Sequence, residues 1–124
     1  MSAKRRVLVA DDNPLMRKML CKMFAGHETL EICEEAVNGQ EAVEKARWCN
    51  PDLVILDFSM PVLNGLEAAK LIRQIHPKVP IILFTQHAGL FSETTPRPVS
   101  ITRVVSKSQP QTLTAHAEDV LSAT

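Results

Sequence analysis

The chain has 124 residues and a mass of 13.8 kDa, and its 14 basic residues balance 14 acidic ones, giving a formal net charge of zero. This size suits one compact domain and is too small for two ordinary ones, so we expect residues 1–124 to form a single domain. The balanced charge gives no reason to expect nucleic acid or an anionic membrane as a partner. No apolar run approaches the length of a membrane span or of a signal-peptide core.

Three cysteines, Cys21, Cys33 and Cys49, form an odd set without CxxC spacing. This pattern argues against a disulfide framework and against a structural zinc site. Together with the absence of a targeting or membrane segment, it predicts reduced thiols and a cytoplasmic protein.

Short apolar runs alternate with stretches of helical period, which is typical of βαβ units around a buried parallel sheet. The first strand is predicted at 7–10 and is continuously apolar, as expected for a sheet covered on both faces. Asn13 and Pro14 supply the N-cap and the first residue of the first helix. We expect its methionine stripe to be core, and Trp48, on the second helix, to be a partly buried anchor.

Four more strands are predicted along the chain, at 30–36, 53–56, 81–84 and 102–105. The remaining helices are predicted to begin at Asn38-Gly39, after Asn64-Gly65 and near Leu113. Within residues 86–100, Pro96 and Pro98 forbid a long continuous helix. We therefore expect a short helix or an irregular loop there.

Polar residues follow four of these strands at the point where each strand ends. They are Asp11 and Asp12 after the first strand, Asp57 after the third, Thr85 at the end of the fourth and Lys107 after the fifth. In open α/β sheets, ligands bind in the crevice outside the carboxyl ends of the strands. The sequence therefore predicts that these five residues share one site.

The chemistry of this set points to phosphoryl transfer. Close carboxylates repel one another by about 4 kcal/mol per pair at an effective dielectric of about 20, so a cation must compensate. Mg²⁺ suits an all-oxygen set and accepts further ligands from a phosphate. Lys107 offers a point charge and Thr85 a hydroxyl donor to phosphate oxygens. Asp57 is then a candidate nucleophile whose product is an acyl phosphate.

At these residues the sequence resembles the receiver domains of two-component response regulators over essentially its whole length. The matching motifs are the acidic entry segment 7–14, the segment 56–61 with Asn64-Gly65, and the pair Thr85 and Lys107. The resemblance implies a flavodoxin-like (CheY-like) α/β fold, doubly wound around a five-stranded parallel sheet of order 2-1-3-4-5. Within this fold, Pro96 and Pro98 predict that the fourth helix, between the fourth and fifth strands, is irregular or shortened in this chain.

The resemblance also implies a role for each site residue. Asp57 would accept the phosphoryl group, while Asp12, Asp57 and the backbone carbonyl of Ser59 would ligate Mg²⁺ and Asp11 would act through water. Lys107 and Thr85 would contact the phosphoryl group. The donor would be a sensor histidine kinase or a histidine phosphotransfer protein, and the output would be a contact with an unknown downstream protein, with a homodimer left open.

Two positions depart from the family pattern. Gln86 stands where receivers carry a small residue, and we hypothesise that its amide alters access to the phosphoryl group, with Ser59 and His87 flanking the site. Val104 replaces the usual switch aromatic, so propagation from Thr85 is hypothesised to use a change of order in residues 86–100.

Two other classes of function stay open at this point. The first is a flavodoxin-like enzyme, either an FMN carrier or an aspartate-dependent phosphatase. The Asp-Asp-Asn-Pro segment in place of a phosphate-cradling loop disfavours the carrier, and Ser59 stands where a phosphatase would want a second acid. The second is a non-phosphorylated interaction module that keeps the receiver fold. The intact acidic set favours a phosphoacceptor switch over the flavodoxin-like enzyme and over the non-phosphorylated module. We therefore expect the chain not to be an enzyme.

Overall fold

The computed structural model describes residues 4–91 and 98–123. The strands are β1 (Arg5–Ala10), β2 (Leu30–Ala36), β3 (Leu53–Leu56), β4 (Ile81–Thr85) and β5 (Arg103–Ser106). The α-helices of the described residues are α1 (Pro14–Ala25), α2 (Gly39–Cys49), α3 (Gly65–Ile75) and α4 (Leu113–Ser122). All strand pairs are parallel and the sheet order is β2-β1-β3-β4-β5, which confirms the predicted fold class and strand order.

Asparagine side chains start the first three helices. Asn13 accepts hydrogen bonds from the backbone N–H groups of Leu15 and Met16, and Asn38 accepts one from that of Glu41. Asn64 forms a reciprocal capping box with Glu67. Each cap satisfies donors that the first turn of a helix leaves without a partner, so the helices begin where the sequence predicted.

The helices cover both faces of the sheet. Along β3, Val54 and Leu56 face the core cluster under α2 and α3, while Leu53 and Ile55 face the cluster under α1 and α4. Successive residues of a strand point to opposite faces, and all four side chains are buried because helices cover both faces. β3 is therefore the central strand that its apolar run predicted.

Two expectations about helix surfaces have different outcomes. The methionine stripe of α1 packs against the core beside Leu20 and Phe24, as predicted. The prediction for Trp48 was wrong, because its side chain is 62% exposed. The buried stripe of α2 comprises Ala42, Val43, Ala46 and Cys49, which leaves position 48 on the outer face.

The segment after β4 lacks a full helical element among its described residues. Ala88–Phe91 forms a single 3₁₀ turn, in agreement with the irregular or shortened helix predicted between β4 and β5. Residues 92–97, with Pro96, lie outside the described part of the chain. β5 begins one residue later than predicted; Thr102, the residue before it, accepts the N–H of Ile81 with its side-chain hydroxyl at 2.9 Å. Among the described helices, none has the length and apolar character needed to cross a bilayer.

Candidate functional site: an acidic cleft at the carboxyl ends of the strands

Parallel pairing of β1 and β3 brings the three aspartates together. Ala10 pairs with Leu56 in the sheet, and the N–H of Asp57 donates to the carbonyl of Ala10 at 2.9 Å. The chain then leaves both strands at one edge, where Asp11, Asp12 and Asp57 each present a carboxylate oxygen within 4.8 Å of the others. Asp11 and Asp57 are buried, at 2% and 7% exposure, whereas Asp12 is exposed.

Lys107 brings a positive charge to this cluster from the end of β5. Its N–H donates to the carbonyl of Thr85 at 2.9 Å, and its ammonium lies 2.7 Å from Asp11 Oδ2 and 3.3 Å from Asp57 Oδ1. The ammonium is also 5.9 Å from the centre of the Phe84 ring. Three carboxylates and one ammonium leave two uncompensated negative charges, which matches the charge of a divalent cation.

The acceptor candidate has a perturbed acidity. Burial raises the pKa of Asp57, and the negative charge of Asp11 raises it further, while Lys107 opposes both effects. Burial disfavours the charged form of a carboxyl group, and a like charge does the same. Asp57 is therefore a poorly solvated and more basic carboxylate, which is the character of an activated nucleophile.

The carboxylates open into a cleft of about 240 Å³. It is lined by Asp11, Asp12, Asn13, Asp57, Ser59, Gln86, His87 and Lys107. Thr85 is not among these lining residues: it is fully buried, and its hydroxyl accepts the N–H of His87 at 2.9 Å. The structure thus brings Asp11, Asp12, Asp57, Ser59 and Lys107 together in one cleft, and it joins Thr85 to that cleft through hydrogen bonds with His87 and Lys107.

The loop from β3 to α3 runs very close to the acceptor candidate, Asp57. The N–H of Gly65 donates to the carbonyl of Phe58 at 2.9 Å, and a Cβ at position 65 would collide with the backbone carbonyl of Asp57. Within the loop, Val62 has φ 71° and the N–H of Leu63 bonds to the carbonyl of Pro61, which is a strained γ-turn. Glycine is required at position 65, where no side chain fits.

The donor set fits Mg²⁺. All three convergent side chains are carboxylates, and hard divalent cations prefer oxygen ligands. The set includes one exposed member, Asp12, so the cleft has a side open to water and to a phosphate. Mg²⁺ typically keeps several waters and uses only one or two carboxylates, and this arrangement suits that habit.

Two residues near the cleft were missed at the level of sequence. Arg17 Nη1 donates to the carbonyl of Asp11 at 2.8 Å, and its only sequence signal is its place one turn after Asn13. The Phe58 ring makes edge contacts with His87 and Phe91, at 6.0 and 5.7 Å between ring centres. These contacts join residues distant in sequence, so no local pattern predicts them.

Comparison with known proteins agrees with the fold. A family model described as the response regulator receiver domain matches residues 7–118. The response regulator domain of CheB from Thermotoga maritima superposes with a TM-score of 0.80 at 28% identity, over 95% of this chain and 94% of that one. TrrA from Thermotoga maritima, in complex with Mg²⁺ and BeF, has a TM-score of 0.80 at 35% identity, over 94% and 98% of the two chains.

Curated relatives are much longer than this chain. The protein-glutamate methylesterase/protein-glutamine glutaminase of Clostridium acetobutylicum is 38% identical over 82 residues, which are 66% of this chain and 24% of that protein. The protein-glutamate methylesterase/protein-glutamine glutaminase 1 of Methanosarcina acetivorans is 46% identical over 80 residues, which are 64% of this chain and 23% of that protein. The chain thus spans about a quarter of these relatives. Because the family model matches most of its length, the chain belongs to the response regulator receiver domains of two-component signal transduction.

Proposed function

We propose that Asp57 accepts a phosphoryl group in a Mg²⁺-dependent reaction and that the phosphorylated chain signals to a downstream protein. The observation that carries this proposal is a buried, basic carboxylate that shares one cleft with two further carboxylates and a lysine ammonium. The donor is the phosphohistidine of a sensor histidine kinase or of a histidine phosphotransfer protein. Residues 1–124 form one receiver unit in this proposal.

The residues of the cleft divide the work of the transfer. Asp12, Asp57 and the backbone carbonyl of Ser59 would hold Mg²⁺, with Asp11 acting through water, and the bound ion would neutralise charge on the phosphoryl oxygens. An oxygen of Asp57 attacks phosphorus while the bond from phosphorus to the histidine nitrogen breaks. Lys107 is already 3.3 Å from Asp57 Oδ1, so its ammonium can follow the negative charge onto the phosphoryl group.

Thr85 would connect the chemistry to the rest of the molecule. Its hydroxyl accepts the N–H of His87 in the present structure. A hydroxyl that turns to donate to a phosphoryl oxygen gives up this position, and the N–H of His87 then loses its partner. The segment that starts at His87 and continues into the 3₁₀ turn is therefore the part of the chain that senses the acceptor.

This function is that of a phosphoacceptor switch, not of an enzyme acting on other substrates. The methylesterase and glutaminase activities named for the longer relatives are not assigned to this chain, which spans only about a quarter of them. TrrA, 35% identical, was solved with Mg²⁺ and BeF, which supports Mg²⁺ as the cofactor here. Three free cysteines and a histidine kinase donor support a cytoplasmic location.

The test is chemical phosphorylation followed by intact-mass measurement. The purified chain is incubated with acetyl phosphate and Mg²⁺, and we expect a gain of one phosphoryl group that is lost when Mg²⁺ is chelated. Asp57→Asn should gain none. Asp119→Asn is the matched control, because Asp119 is an exposed aspartate paired with Arg103, and it should react like the wild type.

The same samples distinguish the alternatives. A wild-type chain that gains no phosphoryl mass under these conditions would favour the non-phosphorylated interaction module. A gain of equal size in Asp57→Asn would move the acceptor to another residue. Steady release of inorganic phosphate from an aryl phosphate ester, with many turnovers per chain, would favour the aspartate-dependent phosphatase.

A further inference from the structure

Arg17 is placed to act on the acidic pair through the main chain. It lies in the first turns of α1, where its N–H donates to the carbonyl of Asn13 at 3.1 Å. Its side chain is only 18% exposed and folds back along the helix, so that Nη1 donates to the backbone carbonyl of Asp11 at 2.8 Å. On its other side, Nε lies 3.5 Å from Glu35 Oε1 at the end of β2.

This contact fixes one peptide plane. The carbonyl of Asp11 belongs to the same peptide unit as the nitrogen of Asp12, so holding that oxygen sets the direction in which the Asp12 side chain leaves the backbone. The other side of Asp11 is held as well, because its N–H donates to the carbonyl of Ala36 at 3.1 Å. Its Oδ1 accepts the N–H of Asn13 at 2.9 Å. Asp12 itself is exposed, and burial does not hold its carboxylate in place.

We infer that Arg17 is a positioning residue for the divalent cation, which it does not touch: it holds the peptide from which the Asp12 carboxylate projects. This inference rests on the proposed function of the cleft as a Mg²⁺ site. Groups that orient metal ligands without contacting the metal typically change metal affinity by about 10- to 100-fold when they are removed.

Removing the Arg17 side chain changes both the charge near the cleft and the position of Asp12, and these two effects predict opposite changes in Mg²⁺ affinity. A guanidinium close to an acidic cluster repels a cation, so electrostatics alone predicts tighter Mg²⁺ binding after its removal. Loss of the hydrogen bond to Asp11 frees the peptide and predicts weaker binding. The direction of the change in affinity therefore separates the two effects.

The experiment is calorimetric titration of the unphosphorylated chain with Mg²⁺. For Arg17→Met, which keeps the apolar part of the side chain, we expect a dissociation constant about tenfold higher than that of the wild type. Arg103→Met is the matched control, because Arg103 pairs with Asp119 away from the cleft, and its affinity should stay within twofold. Circular dichroism and thermal unfolding establish that each variant is folded.

A double variant whose net charge equals that of the wild type tests the same contact without a change in net charge. It also provides a second protein, so the conclusion does not depend on Arg17→Met alone. Arg17→Met combined with Glu35→Gln removes one positive and one negative charge but still removes the contact with Asp11. We expect the same weakening as in the single variant. Wild-type affinity in the double variant, or equal or tighter binding in Arg17→Met, overturns the inference while leaving the cleft a Mg²⁺ site. A wild type that binds no Mg²⁺ overturns the proposed function as well.

Discussion

Replacing the proposed acceptor, Asp57, with asparagine is expected to stabilise the fold in the absence of Mg²⁺. In Asp57→Asn the side chain keeps its size but loses its charge. Burial and the charge of Asp11 raise the pKa of Asp57, so the ionised form is disfavoured in the folded state. At neutral pH the wild type must carry this cost, whereas the asparagine variant does not.

Distances in the cleft give the approximate change in the free energy of unfolding. The Lys107 ammonium, 3.3 Å from Asp57 Oδ1, attracts it by about 5 kcal/mol at an effective dielectric of about 20. Asp11, with an oxygen within 4.8 Å, repels it by at least about 3.5 kcal/mol on the same scale. The exposed Asp12 adds only about 1 kcal/mol of repulsion, because water screens its charge. Attraction and repulsion therefore nearly cancel, and desolvation of the Asp57 carboxylate, the largest cause of its raised pKa, costs about 2 kcal/mol or more. We therefore expect the free energy of unfolding to rise by about 2 kcal/mol.

Urea denaturation with a chelator at pH 7 measures this difference, with Asp119→Asn as the control that loses an exposed ion pair and gains nothing. Because the folded-state pKa of Asp57 lies above its ordinary value of 3.8, the advantage of asparagine is fully present above the folded-state pKa. It disappears as the pH falls to 3.8 and below. Saturating Mg²⁺, at 100 times its dissociation constant, should return about 2.7 kcal/mol to the wild type and less to the variant. Equal or lower stability of Asp57→Asn without Mg²⁺ would refute the reasoning.

Three further substitutions and one labelling experiment have predicted outcomes. Val62→Gly should raise the free energy of unfolding in urea by about 1 kcal/mol, since a β-branched residue at φ 71° is strained; a neutral or destabilising result would contradict this. Arg73→Met should lower the free energy of unfolding by about 2–3 kcal/mol, with exposed Arg47→Met as the control, because the Arg73 guanidinium lies within hydrogen-bonding distance of four backbone carbonyls. Those carbonyls belong to His76, Pro77, Val79 and Ser100. Burial raises the pKa of Cys49 to about 12, so iodoacetamide at pH 8 followed by peptide mass mapping should leave Cys49 unlabelled until the chain is unfolded; rapid labelling in the native state would count against it. Gln86→Ala should shorten the lifetime of the phosphoryl group by a factor of about three, which corresponds to less than 1 kcal/mol of barrier, because Gln86 lines the cleft and a smaller side chain leaves more room for water there. Equal lifetimes would contradict this prediction.

The sequence could predict which residues meet at the site because strand ends are local features. An apolar run marks a strand, the first polar residue after it marks the carboxyl end, and parallel strands bring those ends to one edge. This rule alone placed Asp11 and Asp57, whereas Lys107 is the second residue after the predicted fifth strand and was assigned to the site because its charge suits a phosphate. Asparagines before the helices were equally readable, since a cap is a contact within one turn.

Contacts between elements could not be predicted in this way. That Lys107 lies nearer to Asp11 than to Asp57 depends on how β5 twists against β1 and β3, which no local pattern encodes. Arg17 contacts the backbone of Asp11 only because its long side chain adopts one of many possible conformations, folding back toward the start of α1. Trp48 was misplaced because residue type suggested burial, while the rotation of α2 about its axis decided exposure.

Two costs of different kinds lie in the nine residues from 57 to 65. The charge of Asp57 is a cost that the proposed chemistry requires, because a well-solvated carboxylate would be a weaker nucleophile. The strain of Val62 belongs to the turn that carries the chain from the acceptor to Gly65, which must lie against the carbonyl of Asp57. Glycine at position 62 would keep that turn without the strain. If both Asp57→Asn and Val62→Gly stabilise the fold but only the first abolishes phosphorylation, then the strain at Val62 is separable from the chemistry, and stored backbone energy is no part of how the acceptor works.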